Sequence, residues 1–167
     1  MVWITNGTPD TLESASTDSE ITDLTEVKSN LFLVHELGTT SQSVLWQVGG
    51  SGSVDTANNY SMRYNQNGKA TDDAVQNNRG NFWAYQAGTD DDRFVMFYGF
   101  NVAAKEKLFI GFSVTFNGAG AGVAPDRCNT VAKWVNTSDQ YDSVKAFSHS
   151  GNMGTGTNLS ALGFVEN

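Results

Sequence analysis

In the segment Leu108–Phe116, Leu108, Ile110, Phe112, Val114 and Phe116 share one parity while Gly111, Ser113 and Thr115 occupy the other, and this two-residue period constrains the fold strongly. Successive side chains of a β-strand point to opposite faces of a sheet, so a period of two indicates a strand with one buried face. We expect the large apolar residues, with Phe112 at their centre, to face the core. Small residues such as Ser113 should then face solvent.

The preceding segment, residues 93–102, is apolar at both parities. Such a pattern is typical of a central strand whose two faces are both covered, one of them by a second subunit where the chain supplies no further layer. The link "AAKEK" joins this strand to the next and predicts a β-hairpin. Residues 31–37 and 44–48 alternate in the same way, which predicts a second hairpin.

Two connections carry residues that favour turns. Asn67 and Gly68 follow an alternating strand at Tyr60–Tyr64, and Asn-Gly is a strong signal for a tight turn. Further along, "NTSD" at 136–139 follows Trp134, a predicted core residue. Because Asn, Ser and Asp side chains bond to nearby backbone groups, we expect a hairpin turn there, built as scaffold.

The chain as a whole predicts an all-β fold. No segment keeps a helical apolar stripe beyond about two turns, whereas eight or more short strands follow one another without helical crossovers. This pattern predicts an antiparallel β-sandwich, with a jelly-roll-like topology. Residues 12–167 are expected to form one domain, and residues 1–11, which lack the alternation, an N-terminal arm with Trp3 and Ile4 as apolar anchors.

Charge and cysteine content exclude several classes of function. A net charge of -8 with only 10 Lys and Arg argues against direct nucleic-acid binding, which depends on cationic side chains at phosphates. The longest apolar-rich run is much shorter than the ~20 residues of a membrane span, so no membrane association is expected. The single cysteine, Cys128, predicts a buried thiol and no intrachain disulfide.

No catalytic or metal-binding pattern emerges from the candidate residues. The glycines at 118–122 precede a proline and a strand, not the helix that a phosphate loop requires. His35 and His149 have no partners at metal-ligand spacing, and adjacent Ser148 and His149 would point to opposite faces of a strand. The acidic runs at 71–73 and 89–93 match no calcium loop. We therefore predict no enzyme activity, no cofactor and no metal.

Four segments carry a resemblance to a known group of proteins. They are "NNYSMRY", "KWVNTSDQYDSVKAF", "SGNMGTGTN" and "LSALG", in this order along the chain. The chain resembles small β-rich virion proteins encoded by tailed double-stranded DNA viruses of marine type. The resemblance implies a virion component, either a capsid decoration protein or a head or tail appendage, with a jelly-roll-like fold and without enzyme activity.

The leading hypothesis is a structural virion protein that decorates or cements the capsid head. Expected partners are the major capsid protein or other virion proteins and further copies of the chain, as a homotrimer, through contacts at Trp3, Ile4, Phe97 and Tyr98. The protein would be made in the host cytoplasm and reside on the virion surface. The alternative is a carbohydrate-binding, lectin-like module for host recognition.

Overall fold

The protein folds into β-strands throughout its described residues, which are 2–38, 43–84, 92–116 and 118–165 of this computed structural model. No helix occurs in these ranges, and none is therefore long and apolar enough to cross a membrane. The strands are β1 (Val2–Thr5), β2 (Asp10–Thr11), β3 (Asp18–Ile21), β4 (Ser29–Glu36), β5 (Val44–Gly49), β6 (Tyr60–Gln66), β7 (Ala74–Arg79), β8 (Phe82–Ala84), β9 (Arg93–Phe100), β10 (Lys107–Thr115), β11 (Asp126–Trp134), β12 (Ser143–Ser148) and β13 (Asn158–Val165).

These strands form two antiparallel sheets. The larger has the order β1-β13-β4-β9-β10-β11-β6-β7, with β2 also paired to β13, and the smaller has the order β3-β12-β5-β8. The two sheets pack face to face, which confirms the predicted all-β antiparallel sandwich. The jelly-roll topology is not confirmed, because β9, β10 and β11 follow one another within a single sheet.

Aromatic rings fill the space between the sheets. Phe97 lies at the centre, with its ring centroid 5.2 Å from that of Trp46 and 5.0 Å from that of Phe82. Phe82 in turn stacks on Phe109 at 4.8 Å. Cys128 is buried, as predicted.

The predicted hairpins had different outcomes. β9 and β10 pair directly, with Ile110 opposite Tyr98, as predicted. The predicted pairing of residues 31–37 with 44–48 is wrong, since β4 lies in the larger sheet and β5 in the smaller one. The Asn67-Gly68 turn is present: both residues have positive φ, 50° and 71°, and Lys69 N donates to Gln66 O at 3.1 Å.

The predicted face of β10 is wrong. Phe112 is 46% exposed and Ser113 only 2% exposed, so the small and polar parity faces the core. The physical reason lies on the neighbouring strand, where Phe97 occupies the space above Gly111. A Cβ on Gly111 would lie 2.1 Å from a Phe97 ring carbon, so the inner position must be a glycine.

The end of β11 and the turn that follows it make structural contacts. Trp134 is buried, and its Nε1 donates to the Asp55 carboxylate at 2.7 Å. The backbone N–H groups of Ser138 and Asp139 donate to Asn136 Oδ1 at 2.8 and 2.9 Å, so the predicted capping is confirmed for Asn136. The turn is not a hairpin, however, because β11 and β12 belong to different sheets.

Candidate interaction surface on the larger sheet

The outward side of the larger sheet carries a continuous set of apolar side chains. We call this set the outer face. Its members are each 41–55% exposed and are Phe94, Tyr98, Phe100, Leu108, Ile110, Phe112, Val114 and Val131. Scattered apolar residues are normal on a protein surface, whereas a contiguous patch of this kind marks an interaction site.

Strand register brings these side chains into contact rows. Tyr98 on β9 lies opposite Ile110 on β10, which lies opposite Val131 on β11. Phe94 on β9 lies opposite Val114 on β10 and forms a second such row. Because side chains opposite each other on adjacent strands lie within contact distance, the outer face is one patch that spans three strands.

Neither central strand presents a charge outward. The two cations of β9 and β10, Arg93 and Lys107, both point inward and are buried. Lys107 Nζ donates to the carbonyl oxygens of Lys105 and Asn136, at 2.8 and 2.9 Å, and burial lowers the pKa of its ammonium. The inward cations leave the middle of the outer face uncharged.

Arg93 lies beside a buried acid, with its Nη1 3.5 Å from Glu36 Oε2. Burial raises the pKa of Glu36 to about 7, although the charge of Arg93 opposes this shift. Ser113 Oγ and Thr115 Oγ1 are also buried and make no hydrogen bond. The inward side of β10 therefore places polar groups in the core, at positions that the apolar sequence pattern does not predict to be buried.

Charged residues on β11 and β6 border the outer face, and one of them, Arg127, is exposed opposite Val114. Lys133 on β11 pairs with Glu106 at 2.8 Å, and Arg63 on β6 pairs with Asp72 at 3.1 Å. Lys133 and Arg63 thus have acidic partners nearby, so these two cations border the apolar centre as neutralised pairs.

Three of the four predicted contact residues are accessible. The Trp3 ring lies 6.2 Å from that of Tyr98 and 5.3 Å from that of Phe164, and the three line a cleft of about 480 Å³ with Glu26, Lys28 and their neighbours. Ile4 is 43% exposed on the same strand. The prediction for Phe97 is wrong, because its side chain is fully buried in the core and cannot contact a partner.

The predicted N-terminal arm is paired to the domain. β1 runs antiparallel to β13, with Trp3 opposite Phe164, and forms one edge of the larger sheet. Its four side chains are all exposed. The role of this segment in holding a neighbouring protein stays a prediction.

The described residues offer no cluster of three or more His, Cys, Asp and Glu that could hold a metal ion. In the acidic turn at 71–73, Asp72 pairs with Arg63 and Asp73 accepts hydrogen bonds from Lys69 Nζ and Gln66 N. Residues 89–91 of the other acidic run lie outside the described residues. Ser148 is buried and His149 exposed, on opposite faces as expected.

Ile110 and Phe112 were not predicted as surface residues. A signal existed, since the neighbouring strand was apolar at both parities and one reading of that pattern was burial by a second subunit. The same reading applies to β10, where both parities contain large apolar residues, including Phe109 on the inward side.

No protein-family model matches the chain, and no curated protein sequence matches it. Among solved structures, the chain is similar to the CBM2 module of Lactobacillus casei BL23 phage J-1 evolved Dit, with 11% identity, 95% of this chain and 77% of that chain covered, and a TM-score of 0.27. Caenorhabditis elegans galectin LEC-6 gives 9% identity, 98% and 96% coverage and a TM-score of 0.35. A tetrameric galectin from the ball sponge Cinachyrella sp. gives 9%, 87% and 96%, and 0.30.

Proposed function

We propose that the chain is a non-enzymatic structural protein that self-associates through the outer face and, as an oligomer, forms part of a viral particle. The observation that carries this proposal is the apolar patch centred on β9 and β10, whose outward sides carry no charge. Its eight side chains expose on the order of 700 Å² of apolar surface, judged from their exposed fractions and the 150–250 Å² of a buried aromatic residue. A standard interface buries about 800 Å² per partner, so the patch has the size of one.

A second copy of the chain is the occupant that the charge distribution favours. Two molecules with a net charge of -8 repel each other over most of their surfaces. The outward sides of β9 and β10 contain no charge, so two copies can meet there at little electrostatic cost. The patch is also rich in aromatic residues, which dominate binding energy at the centres of interfaces.

The resemblance to virion proteins supports the placement of such an oligomer on a capsid. We propose a homotrimer that decorates or cements the head surface through contacts with the major capsid protein. Trp3 and Ile4 on the edge strand β1 are the exposed apolar residues for that contact. An acidic protein made in the host cytoplasm would then reach the virion surface without binding the packaged genome.

The substitution Phe112→Asp tests self-association. It places a carboxylate at the centre of the patch on a half-exposed position, so the fold should remain intact while the interface fails. We expect self-association to weaken by roughly 100-fold or more, as for an interface residue that contributes about 2–4 kcal/mol. Light scattering at micromolar concentration should give a multiple of the 18.0 kDa chain mass for the wild type and a single chain for the variant.

Val123→Asp is the matched control, because Val123 is 44% exposed but lies in the loop between β10 and β11. It should leave the oligomer unchanged. A wild-type mass of one chain would overturn self-association. The virion placement is tested separately by mass spectrometry of purified particles, where a head decoration protein should be present at hundreds of copies.

Carbohydrate binding is the second candidate function. The feature that favours it is the cleft beside β1, where Trp3, Tyr98 and Phe164 gather three partly exposed rings near the Glu26 carboxylate. Aromatic faces with adjacent polar groups suit sugar rings. Trp3 is the tryptophan that lines this cleft, whereas Trp46 and Trp134 are buried and Trp83 lines a different cleft.

A further inference from the structure

A second, smaller cleft lies away from the outer face, at the β8 edge of the smaller sheet. Its volume is about 190 Å³, and its lining residues are Ser43, Leu45, Arg79, Asn81, Trp83 and His149. This volume is below the ~300–1,000 Å³ of sites for drug-sized molecules, which limits a ligand to about one ring.

Two lining residues carry buried polar atoms without partners. Trp83 Nε1 is a donor and Asn81 Oδ1 an acceptor, and neither makes a hydrogen bond within the described structure. A buried polar group left unpaired costs about 1–3 kcal/mol. A hydroxyl group, which is both donor and acceptor, could satisfy either atom.

A β-bulge directs Arg79 toward the same place. On β6, Tyr60 and Met62 pair with Arg79 and Gln76 on β7, so β7 contains one extra residue between the pairs. Asn78, within this bulge, has a positive φ of 54°. Bulges re-aim side chains, and here the Arg79 guanidinium lies 5.4 Å from the centroid of the Trp83 ring.

The connection after the bulge is held by the smaller sheet. Gln47 Nε2 on β5 donates to Gly80 O at 2.7 Å, and Leu45, next to Trp83 in register, supplies an apolar wall. Among the described residues no carboxylate lines the cleft, although the protein carries 18 Asp and Glu. Arg79 therefore gives this described lining a positive charge on an acidic protein.

We propose that this cleft binds a single acidic sugar residue, a pyranose that carries a carboxylate. Arg79 would bind the carboxylate in the two-point geometry that guanidinium favours. The sugar hydroxyls would pair with Trp83 Nε1 and Asn81 Oδ1, and the carbon face of the ring would contact Leu45 and the indole. The site is independent of self-association through the outer face.

The indole N–H signals of the four tryptophans report binding directly. We would titrate ¹⁵N-labelled protein with sodium glucuronate, having assigned the Trp83 signal with Trp83→Phe. The Trp83 indole signal should shift saturably with a Kd in the millimolar range, while those of buried Trp46 and Trp134 stay in place. Arg79→Gln should weaken binding at least tenfold, and Arg63→Gln, a matched change on β6 beside the outer face, should not.

Glucose and acetate separate the contributions of ring and charge. Each should bind at least tenfold more weakly than glucuronate. Equal binding of glucose would overturn recognition of the carboxylate, and equal binding of acetate would overturn recognition of the ring. A Trp83 signal unaffected by glucuronate in a protein that still oligomerises would overturn the site and leave the proposed assembly intact.

Discussion

At the scale of single residues, Phe97 and Gly111 determine which side of β10 is buried. The Phe97 ring packs against Trp46 and Phe82 and fills the space where a Gly111 side chain would lie. Gly111→Ala would place a methyl group 2.1 Å from the ring, so the core must shift. We expect the free energy of unfolding to fall by about 1–3 kcal/mol in urea denaturation.

Gly122→Ala is the control for this change, because no heavy atom lies within 4 Å of the added Cβ. Its effect should stay within about 0.5 kcal/mol. In the Gly111→Ala background, Phe97→Leu should be less damaging than in the wild type, since it opens space for the methyl group. An unchanged stability of Gly111→Ala would show that the ring does not set the register.

At the scale of elements, the sequence predicted β10 and its hairpin with β9 correctly and its buried face wrongly. Alternation identifies a strand, but it tells the two faces apart only when one of them is polar. Here the outward parity is fully apolar and the inward parity includes Gly111, Ser113 and Thr115. The choice depends on Phe97, a contact from another strand that the local pattern does not contain.

The turn at 136–139 was predictable because its interactions are local. Asn136 Oδ1 accepts two backbone N–H groups, and Asn136 Nδ2 donates to Asp139 Oδ2 at 2.9 Å. Asn136→Ala removes all three bonds, and we expect it to lower stability by about 1 kcal/mol. Thr137→Ala, exposed in the same turn, should be close to neutral, and thermal unfolding of both variants measures the difference. Equal effects of the two substitutions would contradict the capping role.

At the scale of the whole molecule, the patterns were sufficient for the fold class and insufficient for the assignment of strands to sheets. β4 and β5 follow one another closely, as do β11 and β12, yet each pair is divided between the two sheets. The candidate contact residues and the cleft at Trp83 were likewise predictable only in part. Trp3 and Tyr98 were predicted as contacts and are exposed, whereas the cleft at Trp83 depends on a bulge and on three strands that only the folded chain brings together.

The stability of the whole molecule should depend on pH through one buried acid. Glu36 on β4 faces Arg93 on β9, with Asp92 nearby, and burial raises the pKa of its carboxyl from 4.5 to about 7. Between these two pH values the folded state binds a proton that the unfolded state has lost. The free energy of unfolding should therefore be highest near the lower value and fall as pH rises through this window, by on the order of 1–3 kcal/mol.

Urea denaturation at pH 5 and pH 7.5 measures this effect, and Glu36→Gln isolates it. The variant keeps the shape of the side chain and cannot ionise, so the difference between the two pH values should shrink. Glu106→Gln, a half-exposed acid paired with Lys133, should retain the wild-type difference. Hydrogen bonds lower the pKa values of Asp23 and Asp55, so these two acids change stability with pH in the opposite direction to Glu36. Their effect lies below their ordinary pKa of 3.8 and therefore does not overlap the pH window of Glu36. A wild type that is more stable at pH 7.5 than at pH 5 would contradict this prediction. It would show that Arg93 keeps Glu36 ionised, so that the two side chains form an ion pair in the folded core.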